Sequence, residues 1–134
     1  MRCVLDASAA LAFVLADEFI DAAERILDHV VAHGAVVPTL WQSEVANGLL
    51  SAWKRDRITE AGIAHALVGL ERLRIERTAS ELDSSALIAL GRSLELPAYD
   101  ATYLLLAMSQ GLPLATLDRR LAEATNLAGV ELVR

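Results

Sequence analysis

The chain has 134 residues, of which 54% are hydrophobic, so it has enough apolar surface for a substantial core and is not expected to be disordered. Its formal net charge is −6, which argues against a protein that coats nucleic acid through bulk positive charge. Its length is that of one domain, and we expect a single domain over residues 1–134.

Strand-like and helix-like patterns alternate along the chain. Short apolar runs predict strands at 2–6, 35–37, 74–77, 112–116 and 130–132. Apolar faces at helical spacing and capping residues predict helices at 17–32, 39–53, 60–72, 78–92, 99–110 and 118–124. Two of these helices start with the spacing of a capping box, Thr39 with Gln42 and Thr78 with Glu81. Strands separated by helices favour a parallel sheet with helices on both faces.

The N-terminal segment carries the only cysteine, Cys3, which permits no internal disulfide and lies in an apolar strand. The segment faintly resembles a signal peptide. However, Asp6 interrupts its apolar run and Asp17 with Glu18 follow, so we expect no signal peptide. No apolar stretch approaches the roughly 20 residues of a membrane span. These observations favour a cytoplasmic protein with no membrane association.

Three carboxylates stand at the ends of predicted elements that abut the core. Asp6 ends the first strand, and Asp118 follows the strand at 112–116. Because the carboxyl ends of parallel strands share one edge of a sheet, both are expected in one cleft. Asp100 opens a helix that is apolar on nearly every side and must lie against the sheet, which brings this acid to the same rim.

A fourth carboxylate, Glu44, interrupts a helix that is otherwise apolar or small. Asn47, Gly48 and Ser51 share its face at helical spacing. That face is polar but small, so another part of the molecule or a ligand could approach the helix closely there.

Each acid also has an ordinary structural explanation. Asp6 can form a turn with its own backbone, and Asp118 can be a plain N-cap. Asp100 can complement the helix dipole, and Glu44 can face solvent.

Taken together, the four acids point to a metal site. Converging carboxylates repel one another and raise one another's pKa values unless a cation is present. Ligands that are all oxygen suit Mg²⁺ or Mn²⁺ rather than zinc, and the histidines show no ligand spacing. Mg²⁺ held by carboxylates usually acts at phosphate, where it activates water. The chain has no glycine-rich phosphate loop and no Gly-x-Ser-x-Gly elbow, which disfavours a nucleotide triphosphatase or a serine hydrolase.

Four short segments together resemble the PIN-domain family and, within it, the VapC-type ribonuclease toxins of prokaryotic toxin–antitoxin pairs. In chain order they are Val4–Ser8, Ser43–Asn47, Ala98–Leu104 and Ala115–Asp118. The four occur in order and at suitable spacing across the whole chain, which makes the resemblance specific.

The resemblance implies a three-layer α/β/α sandwich with a central parallel sheet and a Mg²⁺- or Mn²⁺-dependent endoribonuclease that cleaves cellular RNA. By motif match, the metal-binding catalytic acids are Asp6, Glu44, Asp100 and Asp118. The match further implies supporting roles for Ser8 and Thr116 and, on weaker grounds, for Asn47. It also implies a homodimer that is inhibited by a cognate VapB-like antitoxin, whose tail fills the acidic cleft.

An acidic cleft must not repel RNA, so nearby cations are expected to offset it. Arg119 and Arg120 directly follow Asp118 and are the nearest candidates for RNA binding. The alternative is that both arginines only face solvent at the start of a helix.

Two other functions remain open. A receiver-like phosphoacceptor domain also has a parallel sheet and an acidic Mg²⁺ pocket, but it needs a lysine at a strand end. The only lysine, Lys54, falls at the end of a predicted helix, which disfavours that function. The second alternative is a PIN-like metal-binding module that acts in partner binding without nuclease activity.

Overall fold

A parallel β-sheet of four strands forms the centre of the molecule. The computed structural model describes residues 1–79 and 82–134. The strands are β1 (Cys3–Leu5), β2 (Ala35–Pro38), β3 (Ile75–Thr78) and β4 (Leu114–Ala115). Their order is β3-β2-β1-β4, and all three neighbouring pairs are parallel. The predicted parallel sheet is therefore confirmed.

Seven α-helices in the described residues connect and flank these strands. They are α1 (Ala7–Val14), α2 (Asp21–His33), α3 (Leu40–Lys54), α4 (Glu60–Glu71), α5 (Ser84–Leu94), α6 (Ala98–Gln110) and α7 (Arg119–Leu127). The predicted α/β/α fold class is confirmed. None of the helices in the described ranges has both the length and the apolar character that a membrane span requires.

Helix α1 is the element that the sequence does not predict. Its eight residues, Ala7–Val14, are almost all apolar, so they show no polar face from which a helical period could be recognised. The helix packs between other elements, and Ala7, Ala9, Ala10 and Ala12 are buried. Asp6 is its N-cap, with the Asp6 side chain accepting a hydrogen bond from the Ala9 amide.

The helix predicted at 17–32 is shorter than expected. A single 3-10 turn occupies Ala16–Glu18, and α2 begins only at Asp21 because Ile20 is extended (φ −100°, ψ 173°). Phe19 therefore lies outside the helix and is exposed, whereas Ala23, Ile26 and Val30 on α2 are buried.

Both predicted capping boxes are corrected by the structure. Thr39 itself has helical backbone angles (φ −60°, ψ −30°), so its side chain makes no cap hydrogen bond. Thr78 ends β3, and α5 starts instead at Ser84 with Asp83 as its cap. Glu81, the other half of the second box, lies outside the described residues.

The fifth predicted strand, at 130–132, is reduced to a single parallel bridge between Leu132 and Leu114. Helices α2 and α6 end at Gly34 (φ 81°) and Gly111 (φ 64°), where glycine adopts a positive φ without strain. Cys3 is fully buried in the core, as predicted, and burial raises the pKa of its thiol to about 12.

Candidate metal and nuclease site

All four predicted carboxylates line one cavity of about 320 Å³ at the carboxyl ends of β1 and β4. Each comes from a different part of the fold, and apart from Tyr103 the remaining lining is small, polar or aliphatic. The cavity is lined by Asp6, Ala7, Ser8, Leu11, Glu44, Asn47, Gly48, Asp100, Tyr103 and Asp118.

Asp6 is the most deeply buried of the four acids, with 4% of its surface exposed. Its Oδ1 accepts hydrogen bonds from the Ala9 amide (2.9 Å) and the Ser8 hydroxyl (2.8 Å), and its Oδ2 accepts one from the Thr116 hydroxyl. Burial nevertheless raises the pKa of Asp6 from 3.8 to about 6, because these hydrogen bonds only partly offset the loss of hydration. The charge of Asp118 raises that pKa further.

Ser8 and Thr116 link Asp6 to the segment that follows β4. The Leu117 amide donates to the Ser8 hydroxyl (3.1 Å), and the Asp118 amide donates to the Thr116 hydroxyl (3.0 Å). Each hydroxyl oxygen thus accepts from the backbone while its proton points to Asp6. The two side chains hold the Asp6 carboxylate and the loop before α7 in a fixed relation.

Asp118 both lines the cavity and caps α7. Its Oδ1 accepts from the Leu121 amide at 2.9 Å, so its ordinary structural explanation also holds.

Asp100 lies in the first turn of α6 and is half-buried. Burial raises the pKa of Asp100, and the charges of Asp118 and Glu44 raise it further, while Arg120 partly lowers it.

Glu44 reaches the cavity from α3 because this helix packs closely on α1. Glycine at position 48 permits the approach, since a Cβ there would lie only 2.3 Å from Leu11 Cδ1. The Tyr103 hydroxyl donates a hydrogen bond to Glu44 Oε1. Burial, and then the bond to Glu44, raise the pKa of Tyr103, so its hydroxyl stays protonated and remains a donor.

The predicted supporting residues differ in their contacts. Ser8 and Thr116 contact Asp6 directly, and Asn47 lines the cavity one turn after Glu44. Arg119 and Arg120 are exposed and do not line the cavity. Arg120 donates to the Glu95 carbonyl (3.1 Å), yet its charge acts on Asp100.

The donor chemistry of the cavity fits a hard divalent cation, because four carboxylates supply only oxygen ligands. Within the described part of the chain, however, no group of three or more His, Cys, Asp or Glu side chains is arranged to hold a metal ion. Asp6, Glu44 and Asp118 each accept hydrogen bonds from protein donors. A carboxylate that accepts one hydrogen bond keeps further lone pairs, so these bonds do not prevent it from binding a cation.

The sequence did not identify Tyr103 as a site residue. Its ring belongs to the apolar surface of α6, and only 2% of the residue is exposed. The available signal was its spacing: Tyr103 follows Asp100 by three positions, which places both on one face of the helix.

Three comparisons with known proteins agree on the fold. A protein-family model described as "PIN domain" matches residues 3–127. The chain is 36% identical over 125 residues to VapC ribonuclease Mb0985 of Mycobacterium bovis and, to the same extent, to ribonuclease VapC9 of Mycobacterium tuberculosis. These matches cover 90% of this chain and 88% of each relative. The crystal structure of PAE2754 from Pyrobaculum aerophilum superposes with a TM-score of 0.69 at 22% identity, over 92% of this chain and 86% of that one.

Proposed function

The protein belongs to the PIN-domain family, and we propose that it is a Mg²⁺- or Mn²⁺-dependent endoribonuclease, the toxin of a toxin–antitoxin pair. Its substrate is cellular RNA. The names of the two mycobacterial relatives support ribonuclease activity.

One observation carries the proposal: four carboxylates from separate elements line a single cavity at the carboxyl edge of the sheet. Burial and mutual repulsion raise the pKa values of Asp6 and Asp100. This is an unfavourable arrangement for a purely structural cluster. A bound divalent cation removes that repulsion.

In this proposal Asp6, Glu44, Asp100 and Asp118 hold the cation. When bound, such a cation lowers the pKa of a water molecule and offsets the charge that develops on a phosphate. Ser8 and Thr116 orient the carboxylate of Asp6 through the hydrogen bonds described above, and Asn47 adds a neutral polar group to the wall of the cavity.

RNA must approach an acidic cavity on a protein of net charge −6. Arg119 and Arg120, at the start of α7, are the proposed contacts with the RNA backbone. Arg120 already lowers the pKa of Asp100, which supports its nearness to the cavity. Binding through a few such contacts is modest in affinity and weakens as salt increases.

The proposed partners follow from family membership. We expect a cognate VapB-like antitoxin that covers the acidic cavity, and a homodimer of the toxin. The molar mass of the purified protein alone tests for the homodimer. The molar mass of the complex purified after co-expression with the neighbouring gene tests for the antitoxin.

Cleavage of a labelled cellular RNA pool tests the activity. We expect the wild type to cleave with Mn²⁺ or Mg²⁺ and to be inactive with EDTA. Asp100→Asn, purified identically, controls for contaminating ribonuclease and is expected to be at least ~100-fold slower. A wild type that cleaves no RNA in the presence of either metal would falsify the nuclease function.

A metal-binding module without nuclease activity is the second candidate. The observation that favours it is that Asp6, Glu44 and Asp118 each accept a hydrogen bond from a protein donor, so these acids also have structural roles. The same assay separates the two functions, because such a module binds metal or a partner while leaving every RNA intact.

A further inference from the structure

Tyr103 contributes a hydroxyl to a cavity that is otherwise dominated by carboxylates. It lies on the same face of α6 as Asp100, one turn further along the helix. Tyr103 belongs to the same core cluster as Leu104 and Leu106 and also lines the cavity, where its hydroxyl donates to Glu44. A side chain whose ring is fixed in the core presents its hydroxyl at one place.

Glu44 is held far less firmly by its own helix. Its side chain has three rotatable torsions and is only half-buried, whereas the tyrosine has two torsions and 2% exposure. The bond from the Tyr103 hydroxyl to Glu44 Oε1 joins α6 to α3 across the cavity, over a sequence separation of 59 residues. The more rigid partner therefore sets the position of the more flexible one.

The chemistry of the donor matters as much as its position. A lysine or arginine at this point would neutralise Glu44 and compete with a divalent cation for the carboxylate. A tyrosine hydroxyl donates one hydrogen bond and adds no charge. It uses one oxygen of Glu44 and leaves the second oxygen of the carboxylate for a cation.

We propose that Tyr103 is a positioning residue of the acidic site, which orients Glu44 for cation binding through its hydroxyl. The inference rests on the proposed function, in which Glu44 is one of four acids that hold the metal. It assigns to Tyr103 no contact with RNA and no proton transfer.

Tyr103→Phe removes the hydroxyl and keeps the ring, so it is the decisive variant. Tyr99→Phe is the matched control, because Tyr99 is on the same helix, is 66% exposed and does not line the cavity. We expect Tyr103→Phe to weaken Mn²⁺ binding about tenfold by calorimetry, in line with the loss of a partner that orients a ligand. The Mn²⁺ concentration for half-maximal RNA cleavage should rise by the same factor, and Tyr99→Phe should match the wild type in both.

A double-mutant cycle separates positioning from a general structural role. If Tyr103 acts through Glu44, then Tyr103→Phe has no further effect on Mn²⁺ affinity once Glu44→Gln is present. An equal loss of affinity in both backgrounds, or unchanged affinity in Tyr103→Phe alone, overturns the inference while wild-type cleavage still supports the nuclease. A wild type that neither binds Mn²⁺ nor cleaves RNA overturns both.

Discussion

The carboxylate of Asp6 accepts hydrogen bonds from three donors and is nevertheless unfavourable as an ion. Ser8, Ala9 and Thr116 all donate to it. Its pKa is still raised to about 6, because it is buried against the end of β1 and faces Asp118. The residue thus combines a helix cap, which any sequence of this fold could use, with a buried acid that the proposed cation would stabilise in its ionised form.

The pH dependence of stability should report this charge. In the folded protein Asp6 has a pKa of about 6, above the ordinary 3.8 of the unfolded chain. Between these values the unfolded state loses its proton first, so the contribution of Asp6 to the free energy of unfolding falls as pH rises. The fall is about 3 kcal/mol at most. Urea titrations in EDTA from pH 4 to 7 should show that the free energy of unfolding of Asp6→Asn increases relative to that of the wild type as pH rises.

The difference between the two proteins is the measured quantity, since other acids titrate in both. Asn at position 6 can still accept from the Ala9 amide, although one of the two hydroxyls then loses its acceptor. A pH-independent offset in stability, added to the pH-dependent change, is therefore compatible with the prediction. A difference that does not change with pH contradicts it.

Asp100→Asn should remove cleavage and leave the fold intact. Burial and the charges of Asp118 and Glu44 disfavour the ionised form of Asp100, so its neutral analogue relieves repulsion in the metal-free protein. The melting temperature in EDTA should equal or exceed that of the wild type. Glu123→Gln, an exposed position on α7 outside the cavity, is the matched control and should retain activity. A large drop in melting temperature for Asp100→Asn would mean that the acid is structural.

At the scale of elements, the contact between α1 and α3 determines whether Glu44 reaches the cavity. Leu11 on α1 packs against Gly48 on α3, and any side chain at position 48 would displace it. Gly48 and Glu44 are one turn apart. The distance between the helices therefore also fixes how far Glu44 extends over the carboxyl edge of the sheet.

Two glycine-to-alanine changes separate this contact from helix propensity. Gly69 lies within α4, and a Cβ added there would meet no atom within 4 Å, so Gly69→Ala should stabilise the protein by about 0.5–1 kcal/mol. Gly48→Ala gains the same propensity but crowds Leu11, which costs about 1–3 kcal/mol. In urea titrations the free energy of unfolding of Gly48→Ala should therefore be lower than that of Gly69→Ala by about 1–3 kcal/mol. Equal stabilisation by both changes would mean that Leu11 moves aside freely.

The sequence predicted the elements whose patterns are local. Asp6 and Asp118 could be brought to one edge because each follows a strand, and parallel strands share their carboxyl ends. Helix α1 could not be predicted, because a segment that is apolar on every side has no helical period. The position of Glu44 over the cavity depends on a contact between two helices, and the role of the Tyr103 hydroxyl depends on a hydrogen bond between distant residues. Helical spacing indicates the small face beside Glu44 and the shared face of Asp100 and Tyr103, but it does not identify the distant residue that each of them contacts.

At the scale of the whole molecule, the cavity exists only when the sheet is assembled. Asp6 and Thr116 are 110 positions apart in the chain and meet because β1 and β4 are neighbours. Glu44 on α3 and Asp100 on α6 line the same cavity because both helices pack at this edge of the sheet. An unfolded chain of the same composition holds these carboxylates far apart and has no comparable affinity for a divalent ion.

A divalent cation should therefore stabilise the folded protein in proportion to its affinity. Binding only to the folded state adds RT ln(1 + [L]/Kd) to the free energy of unfolding, about 2.7 kcal/mol at a concentration of 100 Kd. The melting temperature should rise by several degrees as Mn²⁺ or Mg²⁺ increases to millimolar concentrations. Matched ionic strength from KCl controls for screening of the net charge of −6, and Asp100→Asn should lose most of the rise. If KCl reproduces the full rise, or if neither metal shifts the melting temperature, the four carboxylates do not form a cation site, because selective binding to the folded state cannot occur without this linkage.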